Sequence, residues 1–219
     1  MHFVDPGGSL TGKLLPTGKV LDVLKDVADL GDIECSIVDA GNPLIFVDAD
    51  QLGIDVRDLS QFDEDLIAAR LESIRARAAV LLGFSENEQQ ASIVSQAVPK
   101  IAVVSAPQSY TAMDGKMIES SEMDVLLRCL SMGVLHKALP GTAAICAAGA
   151  AQIFGSVVNR AMAQNDPDGE ILRFGHPTGV MEARSKIEGR DTSLHYQEAT
   201  IFRTARRIME GNVLVPHQS

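Results

Sequence analysis

The chain has 219 residues, 46% hydrophobic and 22% charged, a balance that suits a folded globular protein and argues against disorder. Nineteen Lys and Arg against 29 Asp and Glu leave a net charge of −10. That acidity argues against nucleic acid and against an anionic membrane surface as partners, because both demand a basic footprint. An anionic small molecule must be held by local donors, since the overall field repels it. Three cysteines, Cys35, Cys129 and Cys146, form no CxxC pair and no complete disulfide framework, which points to a reducing cytoplasm. The start, MHFVDPGGS, lacks the basic stretch and apolar run of a signal peptide.

In chain order, DPGGSLTGKLLPTGK is rich in Gly, Pro, Ser and Thr and reads as an ordered loop. KVLDVLKDV and IECSIVDAG alternate apolar residues, at Val20, Leu24 and Val27 and at Ile33, Cys35 and Ile37, as strands do. Ala40-Gly41-Asn42-Pro43 turns the chain into a third strand, LIFVDA. From Asp63 to Leu82 the period becomes helical, with Ile67, Leu71, Ile74, Ala78, Leu81 and Leu82 on one stripe. Ser60 and Asp63 resemble a capping box, and Gly83 is placed to end the helix. SENEQQASIVSQ reads as a polar connector. KIAVVSA, flanked by Pro99 and Pro107, and MDVLLRCLSMG, turning at Gly133, read as strands.

From Ala138 to Asn159 there is no charged side chain. The stretch is built from Ala and Gly with Thr142, Gln152 and Ser156, and lacks the Leu, Ile and Phe density of a membrane span. A helix apolar or small on every side is one buried inside its own protein. QNDPDGE reads as a loop, and ILRFG, VMEARSKIE, SLHYQEATIFRT and NVLVP as a closing run of strands. The expected architecture is α+β, one domain over residues 1–219 with many strands around an apolar helix. The last segment, about 200–219, is expected to pack elsewhere.

Two stretches are candidate anion sites. Gly7-Gly8-Ser9-Leu10-Thr11-Gly12-Lys13 has the spacing of a phosphate-binding loop, but Leu14 stands where a hydroxyl should meet the metal, and Pro16 interrupts the following helix. Its glycine-freed N–H groups, with Ser9, Thr11 and Lys13, suit a carboxylate instead. The second, Ser131 to Thr142, leads into the apolar helix. Free first-turn N–H groups and the positive dipole end make such a start receptive to anions, and His136 and Lys137 lie just upstream. Asn42 reads equally as a turn residue or as an amide that orients a carboxylate. Arg173-Phe-Gly-His176-Pro-Thr-Gly179 is a loop in which packing and function weigh alike, and Arg206 and Arg207 read as a solvated strand face. The cysteines sit in apolar segments as core residues. No cluster has zinc spacing, and no metal or cofactor is expected.

DPGGSLTGKLLPTGK, SIVDAGNPLIFV, SMGVLHKALPGTAAICAAGAA, LRFGHPTG and RTARRIMEG together resemble the carboxy-terminal half of the PrpF-type isomerases. That family includes 2-methylaconitate isomerase and 4-oxalomesaconate tautomerase, within the diaminopimelate epimerase-like fold. The resemblance covers nearly the whole chain and is weakest around residues 84 to 98. It implies a half in which a β-barrel-like sheet wraps a central helix, with the active site in a cleft between two such halves. It places Asn42 on a substrate-orienting asparagine, Gly141 and Thr142 on a Gly-Thr pair, and Pro140 where the epimerase branch carries its second catalytic cysteine. Stereoinversion by two cysteines is thereby excluded, while a double-bond shift by a base on one side remains.

The implied reaction is isomerisation, by proton transfer, of an unsaturated di- or tricarboxylate. Its developing negative charge would meet donors at Ser9, Thr11, Gly12, Gly141 and Thr142, with Lys13, Asn42 and His136 on the carboxylates. The family's catalytic cysteine and lysine belong to the amino-terminal half, which has no counterpart here, and their roles do not pass to Cys35, Cys129 or Cys146. The chain is then a fragment, a truncated product or a subunit requiring a partner, either an amino-terminal half or a second copy. The alternative is a non-catalytic carboxylate-binding or assembly module.

Overall fold

The computed structural model describes residues 1–162, 171–189, 194–202 and 206–212. The expected loop 164–170 and the strand in NVLVP beyond Asn212 lie outside the described residues. Arg206 and Arg207 are described, exposed and outside any strand.

Twelve strands and five α-helices are described. They are β1 (His2–Val4), β2 (Asp22–Val27), β3 (Gly31–Asp39), β4 (Pro43–Asp48), α1 (Ala49–Leu52), α2 (Asp65–Leu81), α3 (Glu88–Val94), β5 (Lys100–Ser105), β6 (Tyr110–Thr111) and β7 (Met117–Ile118). There follow β8 (Val125–Ser131), β9 (Val134–Leu135), α4 (Gly141–Gln152), α5 (Val157–Ala161), β10 (Leu172–His176), β11 (Gly179–Glu188) and β12 (His195–Ile201). Ten strands form one sheet in the order β1-β12-β11-β10-β8-β5-β4-β3-β2, with β9 hairpinned onto β8. The β4–β5 and β8–β10 pairs are parallel, the others antiparallel.

The central strands are apolar on both faces because helices cover both. Leu44 and Phe46 of β4 and Ala102 and Val104 of β5 lie on the side covered by α4 and α5. The alternate residues Ile45, Val47, Ile101 and Val103 join Leu71, Ile74 and Ala78 of α2. This is the period of two that produces an uninterrupted apolar run in a doubly covered strand. The alternation at Ile33, Cys35 and Ile37 holds, all three lying on the α2 side.

The sheet curls around α4. On that helix Cys146 donates from Sγ to Val38 O of β3 at 3.2 Å. One residue earlier, Ile145 O accepts from Tyr196 of β12 at 2.8 Å. Strands near opposite ends of the sheet thus touch one helix. Nine of its twelve residues are buried, from Ala143 to Ala151. The close approach requires small residues: a Cβ at Gly149 would lie 2.5 Å from Tyr196 Cε1. This is the sheet-wrapped apolar helix that the sequence implied. The uncharged stretch is not one helix, however. It breaks at Ile153–Gly155, and α5 restarts under a Ser156 cap, whose hydroxyl accepts from Asn159 N at 3.1 Å. No described helix is long and apolar enough to cross a membrane.

Three local expectations are corrected. Ser60 does not cap α2; residues 59–63 form a 3-10 turn capped by Asp58, and α2 starts after Glu64 without a side-chain cap. Leu81 faces outward, 52% exposed, because α2 ends there as Gly83, at φ +74°, turns the chain away. SENEQQASIVSQ is no bare connector, since it contains α3. Asn87 caps that helix at its start, and Arg75 of α2 closes its end by donating to Ala91 O and Ser95 O at 3.0 and 2.7 Å.

Candidate functional site

The loop 8–14 folds around a carboxylate of its own chain. Ser9 Oγ donates to Asp39 Oδ1 at 2.6 Å. Leu10 N, Thr11 N and Thr11 Oγ1 donate to Asp39 Oδ2 at 2.8, 2.7 and 2.8 Å. Main-chain bonds extend the seam, from Gly8 N to Asp39 O and from Asp39 N to Leu14 O. Gly12 N turns back onto Gly8 O at 3.0 Å. A residue larger than glycine is barred at Gly8, where φ is +71° and a Cβ would lie 2.6 Å from Lys13 N. Asp39 is fully buried, so its charge is tolerable only because four donors surround it. Ser9, Thr11 and Gly12, expected to face an external carboxylate, have donors engaged within the chain.

Lys13 is exposed and, with Gly12, borders a different concavity of about 530 Å³ that also takes in Asp5, His195 and Tyr196. There His195 Nε2 lies 3.2 Å from Asp5 Oδ1. Lys13 is therefore set apart from the donors that precede it in sequence.

Directly after Asp39, the turn that follows β3 meets the start of α4. Asp39 pairs with Pro43 across the hairpin, and Gly41, at φ +70°, carries the tight turn between them. A Cβ on Gly41 would sit 3.8 Å from the Thr142 side chain, which places Gly41-Asn42 beside the first turn of α4. Asn42 Oδ1 is buried and has no hydrogen-bond partner. A buried polar atom without a partner costs about 1–3 kcal/mol and calls for an explanation.

The helix end beside it is unfilled as well. Pro140 occupies the cap position, no side chain caps the helix, and no acidic residue lies in its first turn. The first bond to close is Ala144 N to Pro140 O, which leaves the amides of Gly141, Thr142 and Ala143 as the orphan donors of a helix start. Gly141 and Thr142 are half-buried. Gly141 itself fits under Ile201, whose Cδ1 would lie 3.0 Å from a Cβ there. The structure thus brings together Asn42, Gly141 and Thr142 of the expected set.

His136 lies on the approach to α4 but turns onto its own chain, its Nδ1 2.6 Å from Ala138 O. Ala138 N also lies 3.2 Å from the same Nδ1, and the ring's tautomer decides which of the two contacts is the hydrogen bond. His136 and Lys137 are exposed. The stretch Arg173 to Gly179 is chiefly strand rather than loop. Arg173 forks onto Asp124, Nη2 to Oδ1 at 2.7 Å, a bond that raises its pKa. His176 is buried, with its carbonyl accepting from Tyr110 Oη at 2.5 Å.

The three thiols are buried. Burial pushes Cys35 and Cys129 up to about 12 and raises Cys146 as well, so each stays a protonated core residue at neutral pH. Sequence reasoning missed Asp39 and Arg128. Arg128 lies fully buried on β8, donating from Nε to Val56 O at 2.8 Å and stacked 4.6 Å from the Tyr110 ring centroid. Burial lowers its pKa to about 10. The signal was an acid in SIVDAG and a cation in LLRCL, each a single charge within an apolar strand.

This geometry can be set beside known proteins. The chain is 41% identical over 219 residues to 3-methylitaconate isomerase of Eubacterium barkeri, covering 98% of this chain and 56% of that protein. It is 35% identical to 2-methyl-aconitate isomerase of Shewanella oneidensis, covering 99% and 55%. The solved structure of a methylitaconate-delta-isomerase matches with a TM-score of 0.81 at 36% identity, over 91% of this chain and 52% of that one. The chain spans about half the length of the relatives it matches. The large sheet curled around an apolar helix, as expected above, is the fold shared with that structure. The family model for the PrpF protein matches residues 1–216, and this chain belongs to that family.

Proposed function

We propose that the chain supplies the carboxylate-binding part of an isomerase that moves a double bond, or interconverts its geometry, in an unsaturated di- or tricarboxylate. The observation that carries this reading is the uncapped start of α4, with its free first-turn amides, beside the Gly41-Asn42 turn, where the Asn42 Nδ2 group is the side-chain donor for a carboxylate. The relatives named for 3-methylitaconate and 2-methyl-aconitate support the substrate class.

In the proposed reaction a proton leaves a carbon conjugated with a carboxylate, and the electron pair spreads onto carboxylate oxygens. Orphan N–H groups at Gly141 and Thr142 are fixed before the charge develops, so they stabilise it without reorganisation. Asn42 orients the substrate, and the exposed His136 acts from the approach to α4 on an outer carboxylate, while Lys13 borders a separate concavity and takes no part in this reading. Ser9, Thr11 and Gly12 act as scaffold in this reading. None of the three thiols serves as the base in this reading, because all are buried and held protonated. A partner carrying that base completes the site.

Proton–deuterium exchange at the allylic carbons of 2-methylaconitate in heavy water, followed by NMR, tests this. Exchange is expected when the chain is joined to the remainder of a family member and is lost in Asn42→Ala. Binding with no exchange in that assembly would establish the non-catalytic carboxylate-binding module. Neither binding nor exchange would refute both.

A further inference from the structure

We propose that Asp39 is a positioning residue, whose carboxylate, with Ser9 and Thr11 as its donors, locks the loop 8–14 onto the Ala40-Gly41-Asn42 turn and fixes Asn42 at the start of α4. The inference deepens the carboxylate-binding reading of that turn and rests on it for its functional meaning.

Asp39 is the last residue of β3, and Asn42 lies three residues on, across a hairpin held by the Asp39–Pro43 pair. The turn between them has few restraints of its own. Its bonds run outward to the amino-terminal segment: Gly41 N donates to Pro6 O at 2.9 Å, and Gly7 bridges Ala40. Pro6 and Gly7 are the residues immediately before the loop that closes on Asp39. The loop is otherwise a surface strap, with Ser9, Leu10, Gly12 and Lys13 exposed. Its order rests on the carboxylate and on the two main-chain bonds at Gly8 and Leu14.

The charge balance follows the same logic. A fully buried aspartate with no cation bonded to it would be an unfavourable choice for stability alone. Here its negative charge is solvated by two N–H groups and two hydroxyls, as a bound anion would be. One side of the hairpin therefore carries a resident anion, while on the other the Gly41-Asn42 turn lies beside the uncapped start of α4. Rigid support behind a ligand-orienting amide is what holds it within the tight tolerance that productive binding demands.

The test uses Ser9→Ala/Thr11→Val, which removes two of the four donors without burying a new charge, and Thr11→Ser, which restores a hydroxyl. The expected result is a folded protein in both, with Thr11→Ser melting near the parent and the double variant about 5–10 °C below it, the loss of two bonds to a buried charge. In the double variant, hydrogen exchange at the Gly41 amide accelerates at least about fivefold, the loss of about one hydrogen bond's worth of protection. The Asn42 side-chain amide resonances shift, while exchange in the body of α4 stays unchanged. Thr11→Ser is expected to behave as the parent. Faster exchange at Leu10 and Thr11 with Gly41 and Asn42 unmoved would overturn the inference, since the loop would then be clamped without supporting the turn. Titration with cis-aconitate judges the underlying reading separately. If the parent shows no shift at Asn42 or Thr142, carboxylate binding there fails, while the exchange data still decide the role of Asp39. If the parent binds, the double variant is expected to weaken binding, and to do so no further once Asn42→Ala is present.

Discussion

Two parts of this molecule gather hydrogen-bond donors, and only one of them is filled by a carboxylate of the chain. At the loop 8–14, four donors converge on Asp39, and every polar group in the cluster is satisfied. At the start of α4, the donors of Gly141 and Thr142 face a turn in which Asn42 keeps a buried oxygen without a partner. The first arrangement lowers the energy of the fold. The second withholds that gain, leaving the first-turn amides of α4 free to donate, as Asn42 can from Nδ2 but not from Oδ1.

The largest expected effect comes from breaking the filled side. Asp39→Leu strands the donors of the loop in a buried seam and is expected to destabilise the fold by about 3 kcal/mol or more. Urea unfolding measures this, and a loss below about 1 kcal/mol would show that the loop is not organised by its carboxylate. Next is the body of α4. Gly149→Ala drives a methyl into the Tyr196 ring, and the overpacking is expected to outweigh the gain in helix propensity, for a net loss of about 1–2 kcal/mol.

Alkaline stability follows from the buried thiols. Cys35 and Cys129 rise from 9.0 to about 12 in the folded state, so the unfolded chain releases these protons first. Their contribution is whole below pH 9 and is lost as pH rises from about 9 to about 12. Arg128, lowered from 12.5 to about 10, acts in the opposite sense above pH 10 and offsets part of that loss. Urea midpoints should fall across this window, and Cys35→Ala/Cys129→Ala should flatten the fall relative to its own value at pH 7.

The smallest stability effect belongs to the open side. Asn42→Ala, which removes a side chain whose buried oxygen bonds nothing in the chain, is expected to change stability by less than about 0.5 kcal/mol while weakening tricarboxylate binding about tenfold, a loss of roughly 1.4 kcal/mol. That separation of stability from binding is the reverse of the one expected at Asp39.

Much of this was legible in the sequence, for identifiable reasons. The alternation at Ile33, Cys35 and Ile37 and the uncharged run after Ala138 each report one dominant environment, and both predicted their elements. The helix α3 was hidden because its order comes from Arg75, some twenty residues upstream. The Asp39 clamp was hidden for the same reason. The loop's donors are visible in GGSLTGK, but their acceptor lies about thirty residues away in an apolar strand, so the donors looked free. Asn42, Gly141 and Thr142 came together because a hairpin and a helix start meet on one side of a curled sheet, which local pattern alone does not show.

The most direct test of the central claim is an NMR titration of the chain with cis-aconitate, observing the amides of Gly141 and Thr142 and the Asn42 side chain beside those of Leu10 and Thr11. The account predicts saturable shifts at the first three and none at the last two. Shifts confined to the loop 8–14, or none at the start of α4, would contradict it.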